Sequence, residues 1–170
     1  MANSINDHQN ERKNFKSRPL LKLKTVNVCG LSERTAFALN RYIDVDQIDI
    51  IALQETNTSD NERLQLQNMF CISDPNKAAN KGAALYVKNS YTITKLDEIS
   101  KISKNIDSCW GLVIANNKKI IVGSIYVKLN YSQAIKEVIK MLDKAVIIQK
   151  QLKATGIILA GDFNARHIAI

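Results

Sequence analysis

The chain has 170 residues, 45% hydrophobic and 24% charged, the balance of one ordinary globular domain rather than of a fibrous or wholly disordered chain. It contains no run of about 18 consecutive apolar residues, and residues 1–24 are polar and charged, which argues against a membrane span or a secretory leader and makes a nuclear or cytoplasmic protein the expectation. The formal net charge of +8 suits a polyanionic partner, because a basic surface attracts phosphate backbones without reading their sequence.

Half of that excess charge lies at the start. Six Lys or Arg face two acids between Met1 and Lys24, and residues 1–19 hold too few apolar side chains to offset the entropy of ordering them. They are predicted to be a flexible basic leader, with residues 20–170 forming the folded part. Leu21, Leu23, Thr25 and Val26-Asn27-Val28 then set out the alternation of a first strand, stopped at Gly30. Ser32 reads as the cap of an amphipathic helix that carries Ala36, Leu39, Tyr42 and Ile43 and runs to about Val45. Residues 48–53 read as a buried strand that ends at Gln54-Glu55-Thr56. Strand, helix, strand in this order indicates an α/β layer, in which polar residues at the strand ends collect in a crevice.

A polar helix or loop is expected around residues 60–69, followed by short strands over 82–87, 91–94 and 109–114. A turn at Asn116-Asn117-Lys118-Lys119 joins the last of these to residues 120–127 as a hairpin. Ser132 is predicted to cap a long helix with the apolar stripe Ile135, Val138, Ile139, Leu142, Ala145 and Val146, and Gly156 stands as its C-terminal glycine. Ile157-Ile158-Leu159-Ala160 is a continuous apolar run, as expected of a strand covered on both faces, and it leads to Asp162 and Asn164. Cys29, Cys71 and Cys109 are odd in number, widely spaced and without a C-x-x-C pair. They read as reduced, buried thiols and not as a disulfide framework or zinc site. Trp110 falls inside an apolar run and reads as core.

Four predicted strand ends therefore carry polar residues: Asn27, Glu55, Tyr126 and the pair Asp162 and Asn164. Phosphodiester hydrolysis requires a cation on the phosphoryl oxygens, a positioned water and donors for the charge that develops. Glu55 suits Mg2+, which often takes only one or two carboxylates, and Asn27 offers a neutral oxygen beside it. Asp162 is a candidate for orienting or deprotonating the water, with Asn164 and Tyr126 donating to the phosphate. Taken singly, each has a plainer reading: Glu55 as a solvated strand-end carboxylate, Tyr126 as a half-buried sheet residue, and Gly161-Asp162-Phe163-Asn164 as a tight turn that satisfies its own backbone.

Five segments in order carry a resemblance: Val26-Asn27-Val28-Cys29-Gly30-Leu31, Ile51-Ala52-Leu53-Gln54-Glu55-Thr56, Gly82-Ala83-Ala84-Leu85-Tyr86-Val87, Ser124-Ile125-Tyr126-Val127 and Gly161-Asp162-Phe163-Asn164-Ala165. Together they resemble the endonuclease/exonuclease/phosphatase superfamily, specifically the apurinic-endonuclease-like domain of non-LTR retrotransposons. The resemblance implies an α/β fold of two packed β-sheets flanked by helices, the DNase I-like four-layer sandwich. It also implies cleavage of DNA with Mg2+ or Mn2+, and a reverse transcriptase domain in the parent polyprotein. It assigns Glu55 to the metal, Asn27 to the metal site or the phosphate, Tyr126 to phosphate contact, Asp162 to the water, Asn164 to the phosphoryl group and His167 to a DNA-facing or structural place. Two residues depart from the pattern: Cys29 where relatives carry Asp or Asn, and Lys128 where they carry proline. The superfamily's later aspartate and Ser-Asp-His segments have no counterpart before Ile170. The expectation is accordingly the N-terminal portion of such a domain, missing its C-terminal part. Either it retains endonuclease activity, or it is a silent remnant that binds nucleic acid weakly through its basic surface.

Overall fold

The computed structural model describes residues 20–58, 65–74, 82–103, 105–128 and 132–165. The predicted leader, most of the polar stretch before Met69, and His167 lie outside the described residues. Two four-stranded mixed sheets form the centre. The first is built from β1 (Leu23–Asn27), β2 (Ile50–Gln54), β3 (Met69–Asp74) and β4 (Ala83–Lys88), in the order β1-β2-β4-β3. The second is built from β5 (Thr92–Lys95), β6 (Ile106–Ala115), β7 (Lys118–Val127) and β8 (Gly156–Asp162), in the order β5-β6-β7-β8. Helix α1 (Glu33–Asp46) crosses between the parallel strands β1 and β2, and α3 (Ala134–Leu152) between the parallel strands β7 and β8; a single turn, α2 (Asp97–Ser100), precedes β6.

Side-chain alternation sorts the core into layers. Ile51, Leu53 and Tyr86 turn outward against Leu39 and Ile43 of α1. Trp110, Ile121 and Ile125 turn outward from the second sheet against Met141, Ala145 and Ile148 of α3. Ile50, Ala52, Leu85, Cys109, Val113 and Val122 meet between the sheets. The result is helix, sheet, sheet, helix, the four-layer architecture expected from the sequence. Trp110 is core as predicted and lies flat on Gly123, where a Cβ would meet its ring at 2.8 Å.

Several local expectations are corrected. The cap of α3 is Gln133, whose side chain makes no capping bond, and not Ser132; the helix ends on left-handed Lys153, while Gly156 opens β8. Half of the predicted α3 stripe faces the core, with Ala145 buried and Val138 and Leu142 packed against the same cluster, but Ala134, Met141 and Ile148 complete the buried face, while Ile135 is 74% exposed and Ile139 and Val146 also face out. Strand β3 and the turn α2 had no sequence counterpart; β3 is masked by its polar and exposed positions, among them Phe70. The hairpin is longer than predicted, with ten residues in each strand, and Asn116 and Asn117, both at positive φ, form its two-residue turn. Tyr42 is half exposed and lies under the Lys24 ammonium at 4.2 Å rather than in the core. Of the three cysteines, none of them in a disulfide, only Cys109 is buried, and Cys29 is exposed.

Strand β8 is the largest correction. Its apolar run predicted cover on both faces; Ile157 and Leu159 are covered on the α3 side and Ala160 in the inter-sheet layer, but Ile158 is 36% exposed, and among the described residues β8 pairs on one side only. It packs opposite β1, the edge strand of the other sheet, so among the described residues both edges without a strand partner lie on the same side of the sandwich. The opposite side is closed by Lys95, which reaches Asp74 at 3.5 Å and Asp97 at 2.9 Å.

Candidate active site

Asn27, Glu55, Tyr126 and Asp162 come from four different strands, and all four converge at one end of the gap between the sheets. Three arrive by simple alternation. Asn27 lies on the same face of β1 as Leu21 and Leu23, Tyr126 on the same face of β7 as Val122, and Asp162 on the same face of β8 as Ala160, all of which border the inter-sheet layer. The parallel register places Tyr126 beside Asp162.

Glu55 arrives by a break in alternation. Gln54 already faces the second sheet, so a continued strand would turn Glu55 toward α1. Instead Glu55 adopts left-handed backbone, φ 53°, which re-aims its side chain into the gap. Such a conformation costs on the order of 1–2 kcal/mol outside glycine. It is held by neighbours: Val28 and Gly30 donate to the carbonyls of Gln54 and Glu55, and Leu31 to that of Thr56, while Thr56 donates to Gly82. Glu55 is 8% exposed and therefore not the solvated strand-end carboxylate that it resembles in isolation.

The side-chain amide of Asn27 donates to Glu55 Oε1 at 2.9 Å and to Asp162 Oδ2 at 3.0 Å. Its oxygen accepts from the backbone of Cys29 at 3.1 Å, with the Cys29 thiol 3.6 Å away. The amide thus presents donors to two carboxylates, one from each sheet. Tyr126 is 9% exposed, and burial, its hydrogen bond to Glu55 and the Glu55 charge push its phenol up to about 12, against an opposing hydrogen bond from Asn164. It is a protonated donor throughout the physiological range. Asp162 Oδ1 accepts from the backbone of Asn164 at 2.9 Å, and Asn164, at φ 46°, turns the chain so that its side-chain amide donates to Val127 O at 2.6 Å. The segment after Asp162 is turned rather than extended, and the Asn164 amide holds the end of β7 to it.

Sequence reading missed several polar residues at this end. Thr56, Thr58 and Asp107 are buried, Asp107 directly opposite Tyr126 in the β6–β7 register. Gln54 and Ser124 form a buried bridge between the sheets. Their only advance signal was a polar residue within an otherwise apolar strand. Among the described residues no cluster of three or more His, Cys, Asp or Glu has the spacing of a metal cage. The donor set fits a hard cation all the same: two carboxylates within reach of one amide nitrogen match the sparse protein ligation that Mg2+ accepts.

Residues 25–170 match the profile of the Endonuclease/Exonuclease/phosphatase family, and the chain belongs to that family. Solved structures agree in fold. A humanized D. rerio TDP2 carrying 14 mutations is 18% identical over 86% of this chain and 63% of its own, with a TM-score of 0.59. The endonuclease domain of TRAS1, a telomere-specific non-LTR retrotransposon, is 12% identical over 87% and 61%, with a TM-score of 0.61. The Bacteroides thetaiotaomicron mannosyl-6-phosphatase Bt3783 is 14% identical over 88% and 67%, with a TM-score of 0.67. The chain therefore spans less than two thirds of the TDP2 and TRAS1 chains. No curated protein matches it. Among the described residues no helix is long and apolar enough to cross a membrane.

Proposed function

We propose that the chain is a metal-dependent phosphodiesterase domain that cuts DNA, of the kind found in non-LTR retrotransposons. The observation that carries this reading is the convergence of Glu55 and Asp162, from different sheets, on the amide of Asn27. Two carboxylates held this close would repel unless a donor or a cation lies between them, and Asn27 supplies the donor. Glu55 and Asp162 would hold Mg2+ or Mn2+, which supplies charge neutralisation at the phosphoryl oxygens. Asp162 orients the attacking water, and Tyr126, which keeps its proton, donates to the phosphate. Asn164 positions Asp162 through its backbone N–H and remains the candidate phosphoryl donor; His167 remains a candidate DNA contact. The net charge of +8 favours a polyanionic substrate over a small neutral one. Work on DNA in the nucleus or cytoplasm, alongside a reverse transcriptase domain, completes this reading.

The test is incubation of the purified chain with supercoiled plasmid, with Mg2+ or with EDTA. The proposal expects nicked circles with the metal only. A second reading is a silent domain with weak non-specific binding, for which the net charge of +8 alone would suffice. It predicts gel retardation that weakens with salt and no nicking in either condition.

A further inference from the structure

One hydrogen-bond chain crosses the gap between the sheets just below the candidate site. Thr25 Oγ1 on β1 donates to Gln54 Oε1 on β2 at 3.2 Å; Gln54 Nε2 donates to Ser124 Oγ on β7 at 2.9 Å; Ser124 Oγ donates back to Leu53 O at 2.7 Å. Thr25 lies at the exposed edge, whereas Gln54 and Ser124 are almost wholly removed from water, at 1% and 0% exposed. The surrounding inter-sheet layer is apolar, with Ala52, Leu85, Cys109 and Val122. Apolar side chains at both positions would fill such a layer without stranding a side-chain donor.

Each member of the chain precedes a site residue on its own strand. Thr25 stands two before Asn27, Gln54 one before Glu55, and Ser124 two before Tyr126. Sheets packed through apolar contacts alone can slide by fractions of an ångström at little cost, since dispersion is not directional. Hydrogen bonds weaken steeply with angle and fix the approach. Asn27 reaches Asp162 across the gap only if the sheets hold one separation.

We infer that Gln54, bonded to Thr25 and Ser124, is a positioning residue: a buried polar clamp that sets the distance between the two sheets and so the convergence of Asn27, Glu55 and Tyr126. The clamp is a statement about geometry, and its value to catalysis rests on the proposed phosphodiesterase reading.

The test is Gln54→Leu, in which Ser124 keeps its bond to Leu53 and no buried donor is stranded. Circular dichroism on heating reads the fold. The NMR signal of the Asn27 side-chain amide, assigned by its loss in Asn27→Ala, reads the site, and Mn2+ affinity by calorimetry gives a third measure. The expected result is cooperative unfolding, an Asn27 amide signal displaced toward that of a free amide, and Mn2+ affinity lowered about 10- to 100-fold, the usual effect of losing a residue that orients a ligand. A folded Gln54→Leu chain with an unmoved Asn27 amide signal overturns the inference. Should Gln54→Leu fail to fold, Ser124→Ala removes both bonds that cross the gap; displacement of the same signal supports the clamp, and an unmoved signal overturns it. Absence of Mn2+ binding by the unmodified chain would count against the metal reading of the site, while the amide signal would still decide the clamp.

Discussion

The amide nitrogen of Asn27, on the edge strand of one sheet, stands 3.0 Å from the carboxylate of Asp162, on the edge strand of the other. The same nitrogen is 2.9 Å from Glu55. A single neutral side chain therefore joins the sheets at the place where two negative charges meet, and the properties of the site follow from it.

Replacing Asn27 with Asp removes the donor and adds a third carboxylate. Stability without metal is expected to fall by about 1–3 kcal/mol, the cost of a lost buried donor together with like-charge repulsion. Added Mg2+ should recover much of that loss by binding the folded form alone. Thermal unfolding of both chains, with and without Mg2+, checks both parts.

Tyr126 predicts an alkaline signature. Its folded pKa of about 12 exceeds the ordinary value of 10.0, so between these pH values the folded chain keeps a proton that the unfolded chain has lost. Stability is unaffected below pH 10 and falls as pH rises toward 12. In Tyr126→Phe this part of the decline is absent, and denaturant midpoints measured from pH 9 upward should fall less steeply than in the unmodified chain.

Gly161 precedes Asp162 at φ +156°, and a Cβ built there collides with the carbonyl oxygen of Ile125, its register partner on β7. Backbone cannot yield as a flexible side chain does. Gly161→Ala is expected to lose roughly 3 kcal/mol or more, in the range of steric clashes at constrained backbone. Soluble yield and the urea midpoint measure it.

Among the described residues β8 has a strand on one side only; it carries Ile158, 36% exposed, and no charge between Gly156 and Gly161 to discourage another strand. Ile158→Lys is expected to reduce self-association in light scattering. The thermal midpoint should drop only modestly, since the side chain already reaches water.

Much of this was legible in the residues. The alternation of β1, the buried run of β2 and the helical spacing of α1 gave the α/β order, and polar residues at the strand ends named Asn27, Glu55, Tyr126 and Asp162. What escaped was set by tertiary contact. Helix α3 is apolar over more than one face, and only packing against Trp110, Ile121 and Ile125 of the second sheet decides that Met141 and Ile148 are buried while Ile135 and Ile139 are not. An apolar run such as that of β8 looks the same at an edge as at the centre of a sheet. Nothing local announces that Glu55 leaves the strand conformation, and that kink turns a strand-end carboxylate into a partner of Asn27 and Tyr126. The clamp of Gln54 and Ser124 was invisible for the same reason, its members being 70 residues apart.

The central claim is that the carboxylates gathered at Asn27 cut phosphodiester bonds with the help of a divalent cation. Nicking of supercoiled plasmid in saturating Mg2+, compared between the unmodified chain and Glu55→Gln, tests it most directly. The account predicts nicking that falls by about 100-fold or more in Glu55→Gln, as when a group stabilising the transition state is removed. No nicking by the unmodified chain, or equal nicking by both, would contradict it.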